Sequence, residues 1–226
     1  MHRQRCIKQH EEENDLRIPI CEGEFTYSNT FPLLRRGCLY SSTFSAMAAQ
    51  DIEFRTSDNV TLRGWLIRPK GIAVDQKLPC LIMSSGFTAT IEIELKTFAE
   101  KLIARAPISC LVYDHRGFGY SDAKEGQPRQ EVIPSQQISD MSDAITYAQS
   151  RLDVNADRIG LWGTSYSGGH VLHVGAFDRR AKIILSQVPC TDGWANMHRL
   201  VGPDQWAEVN KSWQEGMCVQ LCPDVC

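Results

Sequence analysis

The chain has 226 residues, 42 % hydrophobic, 8 % aromatic and 23 % charged, with a formal net charge of −3. That is an ordinary globular composition with room for one large domain or two small ones, and it reads as one domain with a tail at each end. The mild acidity and the lack of a face-forming cluster of Lys and Arg argue against nucleic acid or an anionic membrane as partner, and favour small-molecule chemistry.

In chain order, the N-terminal stretch from Met1 to Lys8 runs into Glu11-Glu12-Glu13 without an apolar segment, so neither a secretory signal nor a membrane span is expected. Residues 1–50 are polar and then irregular, and read as an extension. From Asp51 the pattern changes: residues 52–56 alternate, Ser57-Asp58-Asn59 turns, and residues 60–67 alternate again, which is an antiparallel hairpin. Apolar strands then alternate with amphipathic helices: strands at 78–83, 108–113, 158–162 and 182–188, helices near 93–104, 136–150 and 168–177. Ile183-Ile184-Leu185, apolar on both faces, is expected in a parallel sheet covered by helices, and, if no further strand follows, at an apolar sheet edge left unpaired. Residues 51–190 thus read as the core and 191–226 as the start of a cap or a divergent tail, with helical segments near 194–201 and 204–215.

Gly163-Thr164-Ser165-Tyr166-Ser167-Gly168-Gly169 follows the fifth predicted strand and opens a helix. A sharp strand-to-helix turn of this kind exposes a serine hydroxyl as a nucleophile, here Ser165, with small neighbours two residues to either side. Gly163 fits the pattern; Ser167, where glycine is usual, departs from it. Upstream, Pro79–Met83 runs into Ser84-Ser85-Gly86-Phe87, a small-residue turn placed where such folds hold their oxyanion loop. The backbone N–H groups of Phe87 and Tyr166 are the expected oxyanion donors. A hairpin, a doubly wound mostly parallel sheet and an elbow after the fifth strand give the order of an α/β-hydrolase fold, with its last strands missing.

The stretches Asp114–Asp122, Gly163–Leu172 and Ser186–Pro189 resemble the dienelactone-hydrolase and Xaa-Pro-peptidase branch of the α/β hydrolases, and within it the fungal polyketide-transferase and thiohydrolase group. The resemblance runs from about Ile52 to Arg199. It implies a serine-dependent thioesterase, esterase or acyltransferase in fungal secondary metabolism, including toxin biosynthesis. The implied substrate is a small acyl or polyketide molecule, free or bound to a carrier or to CoA. The alternative is a non-catalytic relative that binds an acyl ligand or a partner. The N-terminus without an apolar segment leads to an intracellular, cytoplasmic expectation, and the resemblance adds the peroxisome as alternative, although Asp224-Val225-Cys226 is not a Ser-Lys-Leu address.

In this fold an acid and then a histidine follow the nucleophile, and the chain reads as C-terminally truncated before the strands that carry them. Asp192, after the sixth strand, and His198 are the weak candidates for acid and base. His170 and His173 are expected to pack along the helix, and His115 and Arg116 to be structural, with Asp114 and Arg116 tying their loop to the sheet; because that loop lies at the carboxyl edge where ligands bind, a direct role for His115 is the alternative. No cofactor motif is present. The nine cysteines are odd in number and irregularly spaced, so free thiols are expected, with Cys80, Cys110 and Cys190 as small core residues. Cys218, Cys222 and Cys226 recur every four residues, but Pro223 breaks a helix there and no metal site is expected.

Overall fold

A computed structural model describes residues 47–73, 75–93 and 95–214. Most of the N-terminal extension and Cys218, Cys222 and Cys226 lie outside the described residues. The expected hairpin is β1 (Met47–Arg55) and β2 (Thr61–Pro69), antiparallel in a register from Met47↔Pro69 to Arg55↔Thr61. Asn59 closes its turn with φ of 70°, a left-handed conformation that asparagine tolerates better than most residues. The strand begins inside the stretch read as extension.

The remaining elements are β3 (Leu78–Ser84), α1 (Leu95–Ile103), β4 (Ser109–Tyr113), α2 (Pro134–Ser150), β5 (Val154–Thr164), α3 (Ser165–Phe177), β6 (Ala181–Gln187), α4 (Gly193–Leu200) and α5 (Pro203–Gln214). The sheet order is β1-β2-β4-β3-β5-β6; β2 meets β4 antiparallel, and β3, β4, β5 and β6 pair in parallel. The α/β architecture expected from the alternating pattern is therefore the one observed. Gly64 is required where β2 lies against β4, because a Cβ there would stand 1.9 Å from the Val112 carbonyl oxygen.

Side chains of β3 alternate between two cores. Ile82 enters the layer shared with α2 and α3, while Leu81 and Met83 enter the layer under α1. Pro134 opens α2 at a position where its missing N–H costs nothing, and Met141, Ala144, Ile145 and Ala148 form its fully buried stripe. Burying a side chain such as Ile145 is worth about 1.5–3 kcal/mol. Cys80 and Cys110 are buried free thiols, as expected, and burial pushes the Cys80 thiol up to about 11. Cys190 is only half-buried, because it lies beyond β6 against the open end of α3.

β6 departs from expectation. Ile184 packs under α3, but Ile183 is 60 % and Leu185 44 % exposed. Helix α3 covers one face only. On the other face, among the described residues, they border an open groove of about 490 Å³ with Leu81, Ile108 and Gly160. Among the described residues, no helix is long and apolar enough to cross a membrane.

Candidate active site

Strand β5 delivers the chain to Thr164 in extended conformation, and Ser165 then takes φ of 53° as the first residue of α3. A non-glycine residue in the left-handed region is strained by about 1–2 kcal/mol, and such strain persists only where the surroundings hold it. Two contacts hold it in place. A Cβ on residue 163 would stand 2.2 Å from the Ser167 carbonyl oxygen, so only glycine lets β5 turn so tightly into α3. The Ser165 carbonyl accepts a hydrogen bond of 2.8 Å from the Cys190 N–H, which fastens the elbow to the segment after β6. The Ser165 side chain is exposed.

The turn after β3 passes directly against this serine: a Cβ built on Gly86 would lie 3.4 Å from Ser165 Cβ and 3.9 Å from its Oγ. The Phe87 ring, 57 % exposed, meets the Tyr166 ring edge-on at 5.4 Å between centroids. Ser165, Phe87 and Tyr166, chosen from sequence as nucleophile and oxyanion donors, are thus brought together by two different strand ends. Burial raises the Tyr166 phenol to about 12, so its hydroxyl stays neutral at physiological pH.

Asp192 and His198 are placed differently. Asp192 is exposed and caps α4, its Oδ1 accepting from the Ala195 N–H at 2.9 Å. His198 stacks on Trp206 with centroids 3.6 Å apart and touches Trp194 at 4.5 Å. No hydrogen bond joins either to Ser165 among the described residues.

Beneath the elbow lies a buried cluster that the sequence did not point to as part of the site. His115 Nε2 is 2.9 Å from Ser84 Oγ and 2.9 Å from Ser167 Oγ, and the two hydroxyls are 3.0 Å apart. Ser167 Oγ also donates to the Ser85 carbonyl. His170 packs beside His115 and Tyr166, at 5.7 and 4.5 Å between ring centroids. Burial lowers His115 to about 3 and His170 to about 4, the neighbouring His170 adding to the effect on His115. Both rings are neutral at physiological pH. The signal for His115 was its place just after β4, at the carboxyl edge of the sheet where ligands bind.

The rest of that loop is tied down, though not to the sheet as expected. Asp114 accepts from the Ile91 N–H at 2.8 Å and the Tyr120 N–H at 3.0 Å. Arg116 bridges Asp140 of α2 and Asp58 of the hairpin turn, so its anchors are a helix and a turn rather than the sheet itself.

Residues 58–220 match the family model of the X-Pro dipeptidyl-peptidases, S15 family. The chain belongs to this family. Its relatives include the quorum-quenching protein AidA of Acinetobacter baumannii (strain MDR-ZJ06), 38 % identical over 149 residues, which are 66 % of this chain and 46 % of that protein. The polyketide transferase grgF of Penicillium sp. is 37 % identical over 157 residues, 70 % of this chain and 50 % of that protein. The thiohydrolase aneE of Aspergillus aculeatus is 36 % identical over 159 residues, 70 % of this chain and 46 % of that protein. The crystal structure of the α/β hydrolase GrgF from Penicillium sp. sh18 superposes with a TM-score of 0.57 at 32 % identity, covering 75 % of this chain and 56 % of that one. This S15 member is therefore an α/β hydrolase, as its motifs implied, with fungal polyketide transferases and thiohydrolases among its relatives. It spans about half the length of the relatives it matches.

Proposed function

We propose that this S15-family chain carries the nucleophile and oxyanion hole of a serine-dependent acyl-transfer site. The substrate class is an ester or thioester of a polyketide or other acyl intermediate, free or held on a carrier or CoA. The observation that carries the proposal is the strained, exposed Ser165 with the turn at Gly86 packed so closely that a Cβ on residue 86 would stand 3.4 Å from Ser165 Cβ. Relatives named polyketide transferase, thiohydrolase and acyltransferase support the acyl class. The setting is fungal secondary metabolism, in the cytoplasm or the peroxisome.

Ser165 Oγ attacks the carbonyl carbon and gives its proton to a base. The carbonyl oxygen becomes an oxyanion held by the Phe87 and Tyr166 N–H groups, each worth on the order of 3 kcal/mol in such sites. Collapse expels a thiol or alcohol and leaves an acyl-serine, which water hydrolyses or a second nucleophile takes over. His115 and His170 are poor bases, because burial holds their proton affinity far below that of an ordinary imidazole. Asp192 and His198 stay the candidates for acid and base, and neither is hydrogen-bonded to Ser165 among the described residues. Using them means giving up a helix cap and an aromatic stack, each worth about 1 kcal/mol.

The test is reaction with a fluorophosphonate probe, read by mass spectrometry, with Ser165→Ala and His198→Ala as comparisons. Labelling of Ser165 that Ser165→Ala abolishes supports the nucleophile, and loss of labelling in His198→Ala supports that base. A folded chain that is not labelled sinks the proposal and leaves a non-catalytic acyl-binding relative.

A further inference from the structure

The departure of Ser167 from the usual elbow glycine has a structural counterpart. Its side chain is fully buried in the first turn of α3, and it reaches across to the neighbouring strand ends instead of back to its own helix. Its one hydroxyl hydrogen goes to the Ser85 carbonyl. The Ser84 hydroxyl and His115 Nε2, at 3.0 and 2.9 Å, therefore approach its lone pairs as donors. This network assigns the Nε2–H tautomer to His115 and leaves Nδ1, which has no partner, as the bare nitrogen. A neutral ring has a single N–H, and on Nε2 it faces the Ser167 and Ser84 hydroxyl oxygens, each at 2.9 Å.

Ser85 immediately precedes Gly86, the residue against Ser165, and stands two before Phe87. Pinning its carbonyl fixes how far the turn can slide along the elbow, and hence where the Phe87 N–H points. We infer that Ser167 and His115 are positioning residues that lock the oxyanion turn onto the nucleophile elbow, an inference that rests on the serine-nucleophile proposal above. A glycine at 167 removes the hydroxyl donor from the Ser85 carbonyl and lets the turn move.

The test uses Ser167→Gly, His115→Phe and His115→Gln in the full chain. Two quantities are measured: the second-order rate of fluorophosphonate labelling of Ser165, and hydrogen exchange in residues 84–89 against residues 109–113 of β4. Ser167→Gly and His115→Phe are expected to slow labelling roughly 10- to 100-fold, the scale of a misplaced catalytic group. Exchange is expected to rise in 84–89 while 109–113 stays protected. His115→Gln, whose side-chain amide restores a donor, recovers part of the rate. Labelling of Ser167→Gly at the parental rate, or exchange rising in both segments alike, overturns the lock. If the parent chain is not labelled at all, the nucleophile proposal fails, and exchange alone decides the lock: a rise confined to 84–89 supports it and an unchanged 84–89 overturns it.

Discussion

Replacing Ser165 by glycine should make the protein more stable while destroying its proposed nucleophile. Ser165 has φ of 53°, where a residue with a Cβ is strained by about 1–2 kcal/mol. Glycine removes that strain but loses about 0.5–1 kcal/mol more backbone entropy on folding. The side chain is exposed and makes no hydrogen bond among the described residues, so little else is lost. The net gain is about 0.5–1 kcal/mol, which for a domain of this size raises Tm by roughly 1–4 °C. Ser165→Val keeps the Cβ, adds a branch at a left-handed position, and should lose on the order of 1 kcal/mol. Urea unfolding followed by tryptophan fluorescence at 25 °C gives the three stabilities, and the fluorophosphonate probe should label neither variant. Ser167→Gly is the control: that residue is helical and buried, so the same glycine must destabilise there. A Ser165→Gly protein that unfolds at lower urea than its parent would falsify the strained elbow, and with it the main structural support for Ser165.

Arg116 is 5 % exposed and its partner Asp140 is fully buried, so Arg116→Met should cost about 3–5 kcal/mol by leaving that carboxylate unpaired. Adding Asp140→Leu should recover at least half of the loss in urea unfolding, and a single variant as stable as the parent would contradict the buried pair. Gly163→Ala places a Cβ 2.2 Å from a backbone oxygen and is expected to cost about 2–3 kcal/mol and abolish labelling; normal labelling would show that the turn has slack. Below pH 6.5 the unfolded chain protonates its histidines, while folded His170 waits until about 4 and His115 until about 3. Their contribution is therefore fully present above pH 6.5 and is lost as pH falls, each at up to about 1.4 kcal/mol per pH unit. His170→Phe should flatten the fall in stability between pH 6 and 4.5 by nearly that amount, and an unchanged slope would mean that His170 is charged, or free to charge, in the folded state.

Most of the fold was legible because hydrophobic period is a local signal. The hairpin, the strands and the helices all lie where alternation and amphipathic spacing put them. Misses at the edges have particular causes. β5 starts at Val154 rather than 158, since Asn155, Asp157 and Arg158 hide a strand whose first residue pairs with Leu78. α3 starts at Ser165 rather than 168, because Ser167, Gly168 and Gly169 are weak helix formers held in a helix by their surroundings. The exposure along β6 was legible only in part: an apolar edge unpaired at 183–185 was expected, an uncovered face was not. An apolar run states what a strand could bury, while exposure of Ile183 and Leu185 depends on what is packed against them.

At the site the same division recurs. Ser165 and Gly163 lie in one heptapeptide, and their geometry follows from one turn, so the sequence shows them directly. The cluster beneath joins positions 31, 52 and 83 residues apart, and no spacing rule reaches that far. What the sequence did show was one residue out of pattern, Ser167, which adds a β-carbon and a hydroxyl where glycine is usual. In the structure its hydroxyl donates to the Ser85 carbonyl, a bond that glycine cannot make. A strained backbone such as that of Ser165 lasts only while its neighbours forbid relaxation. The hydroxyl that departs from the motif is thus one of the groups that keep the motif's geometry in place.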